Sequence, residues 1–228
     1  MRHRTWPGVA AAAAVFVMAT AGVQVNSEAA LAKTCFGHAP TIVGTPGKDV
    51  IVGKRLKRDV IIALAGNDRI KGRGGNDLIC GGEGRDTIAG GGGDDRVTGN
   101  QGRDRLSGGD GADILRGGPA NDQVSGGTGK DKLSGGGGQD TLAGGRKADR
   151  VGGGADNDSL VGGNGNDRLF GSAGDDNVLA GLGSDHVSGG PGADFLDVRD
   201  KAPGDTVRGG GDVDKCRADL GDVVKGCP

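Results

Sequence analysis

The chain has 228 residues, of which 52 are Gly, 4 are Phe, 1 is Trp and none is Tyr. Such a composition excludes an ordinary globular core built around aromatic side chains, and without a periodic pattern it would indicate a disordered chain. The formal net charge of −2 gives no electrostatic reason for a nucleic-acid or membrane partner.

The first predicted element is a secretory signal peptide over residues 1–32. Arg2 and Arg4 precede an apolar run from about Val9 to Val23, and Ala30-Leu31-Ala32 offers a cleavage site before Lys33. The apolar run is short for a membrane span and is followed by polar residues. We therefore expect a secreted protein, extracellular or associated with the cell surface, with no membrane span in its mature form.

Residues 33–65 are predicted to form an N-terminal cap with degenerate repeats. Residues 44–52 already fit a nine-residue unit, whereas the next unit is one residue longer and carries four basic residues before Asp59. Terminal repeats of solenoid proteins are commonly atypical, so these units are interpreted as a capping start.

A nine-residue period then runs without a slip through residues 66–196, and every unit carries an Asp at the same place. An aliphatic residue follows each of these marker aspartates by two positions, as in Asp86 and Ile88. The fifteen markers are Asp68, Asp77, Asp86, Asp95, Asp104, Asp113, Asp122, Asp131, Asp140, Asp149, Asp158, Asp167, Asp176, Asp185 and Asp194. After Asp194 the frame slips, so residues 197–228 are predicted to be degenerate repeats and a C-terminal cap.

One unit reads as a Gly-rich turn of six residues that ends at the marker, followed by a three-residue strand with its aliphatic pointing inward. Two units make one coil of about 18 residues, which contains two strands. Stacked coils then form two parallel sheets. The predicted fold is all-β, a right-handed parallel β-roll with irregular, disulfide-tied ends.

The unit, for example Gly81-Gly82-Glu83-Gly84-Arg85-Asp86-Thr87-Ile88-Ala89, resembles the RTX nonapeptide G-G-x-G-x-D-x-U-x over about residues 44–224. The chain is thus similar to secreted calcium-binding RTX proteins of the actinobacterial type. The resemblance implies several Ca²⁺ ions held by aspartate carboxylates and turn carbonyls, and a roll that folds when they bind.

The resemblance makes the marker aspartates the candidate ligands, in up to 13 pairs of neighbouring coils. Three sites are expected to be weaker, those of Asp122, Asp149 and Asp158, because the Gly two residues before the marker is replaced by another residue. The replacing residues are Ala120, Lys147 and Asp156. The alternative, in which Asp only caps the turns, does not explain why Asn is absent at the marker.

Four cysteines in a secreted chain indicate two disulfides, with three possible pairings. Their positions favour Cys35 with Cys80 at one end of the repeats and Cys216 with Cys227 at the other.

Outward positions of one predicted sheet carry Arg96, Lys132, Arg150 and Arg168. Solubility and edge protection explain this pattern simply. A second hypothesis is a face that binds an anionic cell-wall or extracellular polysaccharide in the presence of calcium.

No catalytic residues are predicted, because no nucleophile–base motif and no metalloprotease motif occurs in the sequence. The leading interpretation is a non-enzymatic calcium-binding protein with a structural or cell-surface role. A calcium-dependent polysaccharide binder is the alternative, and a polysaccharide-modifying enzyme is a third, weaker one.

Overall fold

The computed structural model describes residues 34–227, so the predicted signal peptide lies outside the described residues. Short strands and turns make up this part of the chain, and none of it forms a helix that could cross a membrane. The strands are β1 (Ile42–Val43), β2 (Val50–Val52), β3 (Val60–Ala65), β4 (Arg69–Gly74), β5 (Leu78–Glu83), β6 (Thr87–Gly92), β7 (Arg96–Gln101), β8 (Arg105–Asp110), β9 (Ile114–Pro119), β10 (Gln123–Thr128), β11 (Lys132–Gly137), β12 (Thr141–Arg146), β13 (Arg150–Ala155), β14 (Ser159–Asn164), β15 (Arg168–Ala173), β16 (Asn177–Leu182), β17 (His186–Gly190), β18 (Phe195–Asp197), β19 (Thr206–Gly210), β20 (Lys215–Arg217) and β21 (Val223–Lys225).

Successive strands alternate between two parallel sheets. The odd-numbered strands form an 11-stranded sheet and the even-numbered strands a 10-stranded sheet, each in chain order. In the regular part, each residue pairs with its equivalent two repeats later, as Val124 does with Leu142. This topology confirms the predicted parallel β-roll with two sheets and ~18 residues per coil.

The strands are longer, and the turns shorter, than the sequence pattern predicted. Strand β6 contains six residues and includes the Gly pair, so only Gly93-Asp94-Asp95 lies outside a strand before β7. The second Gly of such a pair, Gly91, has a φ of 121° and still pairs with Arg73 across the sheet. The expectation of a six-residue turn was therefore wrong. Gly tolerates a positive φ, so the hydrogen-bonded pairing of the strands continues through the Gly pair.

The core is a single column of aliphatic side chains from each sheet. The aliphatic residues that follow the fifteen markers are all buried, with exposures between 0 % and 4 %. The other inward position of each strand is usually Gly, as at Gly90 and Gly108. With so little side-chain volume between them, the two sheets pack closely.

Both ends of the roll are closed by disulfides. Cys35 bonds to Cys80 and Cys216 bonds to Cys227, which confirms both predicted pairs. The N-terminal segment lies on the outer surface of the 11-stranded sheet and packs against Val60, Ile62 and Leu78. Leu78 occupies an outward position of the repeat, but this cap buries it to 4 % exposure.

The slip of the sequence frame after Asp194 is absorbed without loss of the sheets. His186 pairs with Thr206, and Thr206 in turn pairs with Val223, so one coil is longer than the regular ones and the next is shorter. The degenerate repeats of both termini thus belong to the same roll as the regular ones.

Replacing Leu160 by Ala should lower the free energy of unfolding by about 2–5 kcal/mol, because Leu160 is fully buried in the core and its removal leaves a cavity. The matched control is Leu179→Ala on the neighbouring strand β16, where the side chain is 46 % exposed and points outward. Urea denaturation at a fixed, saturating calcium concentration measures both. Equal losses for the two variants would contradict the assigned core.

Candidate metal centre

Two stacks of buried aspartates run along the roll, one at each edge where the chain passes from one sheet to the other. All fifteen marker aspartates lie in them and are only 0–3 % exposed. The stacks also include four aspartates of the degenerate repeats, which the sequence reasoning had not counted as site residues. These are Asp49, Asp59, Asp205 and Asp214.

Within a stack, one carboxylate oxygen of each aspartate continues the ladder of the sheet. The backbone N–H of Asp86 donates to Oδ1 of Asp104 over 2.8 Å, and that of Asp104 donates to Oδ1 of Asp122 over 2.7 Å. The carbonyl oxygen of Asp86 meanwhile accepts from the N–H of Arg105. A carboxylate at each marker therefore satisfies a main-chain donor that the strands leave unpaired.

The second carboxylate oxygen has no partner. Within residues 34–227, Oδ2 is buried without a hydrogen bond in all fifteen markers, and also in Asp205 and Asp214. An unpaired buried carboxylate oxygen is costly, so a repeated one requires a physical explanation.

A second oxygen faces the same space from the next coil. A Cβ built on Gly144 would lie 2.6 Å from Oδ2 of Asp149 and 2.7 Å from the carbonyl oxygen of Gly162. These two acceptors therefore both lie next to the Gly144 backbone, too close to admit a side chain there, and no donor of the described residues pairs with Oδ2 of Asp149. The arrangement recurs along the roll, for example around Gly126 with Asp131 and Gly144.

The pKa values of the fifteen marker carboxyl groups are raised. Burial has the largest effect on Asp104; the hydrogen bond from the Asp86 N–H opposes it, and the charges of Asp86 and Asp122 add to it, so that its pKa rises from 3.8 to about 7. The pKa of Asp140 also rises to about 7, chiefly through burial, and that of Asp68 to about 6. At neutral pH the stacked carboxylates therefore favour either protonation or the binding of a cation, since each neutralises their negative charge.

The three sites expected to be weak keep the geometry of the others. Ala120, Lys147 and Asp156 have φ values of 85°, 73° and 73°, in the left-handed region that Gly occupies elsewhere at this position. Non-glycine residues are strained in this region, so these three turns carry a backbone strain that the Gly-containing turns lack. Their weaker binding stays a prediction.

The positive charge of Lys147 affects the pKa of Asp131, which lies in the coil before that of Asp149. Burial raises the pKa of Asp131, and the hydrogen bond from the Asp113 N–H and the positive charge of Lys147 both counteract that rise. Asp131 is the neighbour of Asp149 in one stack, so the Lys147 charge acts on one of the two candidate ligands of this site.

Sequence reasoning missed a second, outer ladder of Asn and Asp side chains directly before the markers. Oδ1 of Asn67 accepts from the N–H of Arg85, and Oδ1 of Asp94 from the N–H of Ala112, each over 2.8 Å. The signal was present, because seven of the fifteen repeats carry Asn or Asp at this position. They are Asn67, Asn76, Asp94, Asn121, Asn157, Asn166 and Asp175.

The donor set defines the kind of cation that fits. No three acidic, histidine or cysteine side chains of the described residues gather into one metal site, so a cation here also needs main-chain carbonyl oxygens. Carboxylate and carbonyl oxygens are hard ligands, which Ca²⁺ takes in flexible sets of six to eight. The fold and these turns define a class of repeat protein, the β-roll with stacks of buried aspartates at its edges.

Comparison with protein families identifies which proteins of this class it resembles. The model of the RTX calcium-binding nonapeptide repeat matches residues 57–88, 89–124, 116–151, 152–187 and 161–196. These matches cover more than half of the chain, which therefore belongs to the RTX calcium-binding repeat family. Comparison with curated proteins finds no match. Repeats of this family bind calcium and are typically structural rather than catalytic.

Replacing Asp104 by Asn should weaken the response to calcium and stabilise the roll without calcium. The amide keeps an oxygen for the Asp86 N–H and brings a neutral NH₂ group to the place of the unpaired Oδ2. We expect a calcium midpoint raised several-fold and a larger β-rich fraction in metal-free buffer, both followed by circular dichroism. Asp94→Asn, the same substitution in the exposed outer ladder, is the control and should change neither quantity appreciably.

Without metal, the roll should be more stable in acid than at neutral pH. Since the carboxyl pKa values are higher in the roll than the ordinary value of 3.8, protonation stabilises the fold. This contribution is complete below pH 3.8 and is lost as pH rises through about 6 to 7. Circular dichroism across this range in metal-free buffer measures it. A metal-free chain that is best folded at neutral pH would contradict the assignment.

Proposed function

We propose that this protein is a secreted, non-enzymatic calcium-binding module that folds as Ca²⁺ enters its turns and serves a structural or cell-surface role. The observation that supports calcium-coupled folding best is the unpaired, buried Oδ2 of the stacked aspartates. Folding buries one such charge in each turn, and a chain without cations must neutralise all of them by protonation.

Within the roll, the ligands would be the marker carboxylates together with carbonyl oxygens of neighbouring Gly residues. Asp149 and Gly162 illustrate one such pair. Bound Ca²⁺ supplies positive charge and accepts oxygen lone pairs, which replaces the missing donors. The chain contributes the spacing, because the hydrogen bond at Oδ1 holds each carboxylate in position against the next coil.

The proposed location and the absence of catalysis have separate support. Two disulfides favour an oxidising compartment outside the cytosol. His38 lies in the N-terminal cap and His186 on β17, so the two histidines of the described residues do not share a site.

Recovery of the protein from the culture medium, with an N-terminus at Lys33, tests the proposed location.

The central test is folding induced by calcium. In EGTA at neutral pH the chain should give the spectrum of a disordered polypeptide, and millimolar calcium should convert it to a β-rich spectrum. Magnesium at the same concentration is the control and should be much less effective, because it requires a rigid octahedral site. Isothermal calorimetry then counts the bound ions. A spectrum that calcium leaves unchanged would refute the proposal.

A further inference from the structure

The outer surface of the 11-stranded sheet carries a cluster of basic side chains between β7 and β19. On each strand the first and third residues point outward, and across neighbouring strands these positions form two columns. Together they present six exposed cations, which we call the basic face. Its members are Arg96, Arg116, Lys132, Arg150, Arg168 and Arg208.

The charges of the basic face are not neutralised by neighbouring carboxylates. The odd-numbered strands from β7 to β19 contain no Asp or Glu. Both salt bridges found in residues 34–227 use Asp197, which lies on the other sheet. Six uncompensated cations on one surface produce a strong local positive potential even though the net charge of the whole chain is −2.

Solubility and edge protection do not account for this distribution. The basic residues lie on central strands, whereas protective charges are needed on edge strands. On the opposite sheet, by contrast, the first outward positions from β10 to β16 are uncharged. These are Gln123, Thr141, Ser159 and Asn177.

The basic face is also concave. Two open depressions of about 720 Å³ and about 390 Å³ meet at Arg150 and Phe170, which line both of them. The small residues Ser134 and Gly152 lie in the first depression and Ser188 in the second. The Arg150 guanidinium lies 4.6 Å from the centre of the Phe170 ring, a stacking contact that orients the cation.

We propose that the basic face binds a linear acidic polysaccharide laid along the axis of the roll. Seven strands at about 4.8 Å spacing give a groove roughly 29 Å long, with cations at Lys132, Arg150 and Arg168 on consecutive strands. Such a row matches a linear polymer that carries negative groups at regular intervals along its chain. Because the face exists only in the folded roll, this inference depends on the calcium-coupled folding proposed above.

Other polyanions fit the surface less well. Single-stranded nucleic acids are held by several exposed aromatic rings on which bases stack. These seven strands carry only Phe170, which is partly buried with Arg150 over its ring, and the imidazole of His186. An anionic membrane favours apolar side chains that insert between lipids. The face offers only Phe170 and Ile114, which are both partly buried.

The test uses the full mature chain in calcium at low salt, with fluorescent heparin and hyaluronan oligosaccharides as probes. Lys132→Gln, Arg150→Gln and Arg168→Gln are combined in one variant. Its control combines Arg69→Gln, Lys71→Gln and Arg105→Gln on the outer face of the other sheet, which removes the same charge. We expect the first variant to lose affinity by about tenfold or more and the control to stay within about twofold of the wild type.

Circular dichroism in calcium establishes first that each chain is folded. A folded wild-type chain that binds neither oligosaccharide overturns the inference and leaves calcium-coupled folding intact, whereas a chain that stays unfolded in calcium refutes both. Equal losses in the two triple variants would also overturn it, since only overall charge would then matter. Tighter binding of a single-stranded oligonucleotide, or of phosphatidylserine vesicles, would assign the face to that other class of partner.

Discussion

Each regular coil of this protein buries two aspartates whose carboxylates are only half satisfied. Oδ1 accepts the N–H of the preceding coil and so completes the main-chain ladder, while Oδ2 is left beside a Gly and a carbonyl oxygen, with no hydrogen-bond donor among the described residues. The hydrogen bond at Oδ1 makes the aspartate necessary for stacking. The missing hydrogen bond at Oδ2 makes the stack of negative charges unfavourable at neutral pH unless a positive species neutralises them. The same side chain therefore completes the stacking of the coils and carries the buried charge that calcium neutralises in the function proposed above.

Much of the unusual composition follows from this arrangement. The inward Gly of each repeat leaves room for the carboxylate, since a side chain at Gly144 would meet both Asp149 and the neighbouring coil. The consequence is a core of one aliphatic residue per repeat, which is small for a chain of this length. Disulfide-tied caps at both ends supply constraints that a larger core provides in other proteins.

The outward residues neither fill the core nor make room for the aspartates, so the fold does not dictate their chemistry. The two sheets use this freedom differently: cations collect on one face, while the central strands of the other carry mainly small and neutral side chains. Because successive repeats lie alternately on the two sheets, a charge that recurs in every second repeat produces a one-sided surface.

The sequence by itself determined the repeat, the two-sheet roll, its buried aliphatics and the fifteen marker aspartates, because a period of nine allows one turn and one strand per unit and assigns each position to the inside or the outside. It also predicted both disulfide pairs from their places at the ends. Only the tertiary structure decided how far each strand extends, because pairing through Gly91 depends on a neighbouring coil rather than on local preference. It alone revealed that Leu78 is covered and that Asp49, Asp59, Asp205 and Asp214 join the stacks across irregular spacings. The sequence could not predict the different roles of Oδ1 and Oδ2 either, because these roles depend on contacts between neighbouring coils whose geometry no local pattern specifies.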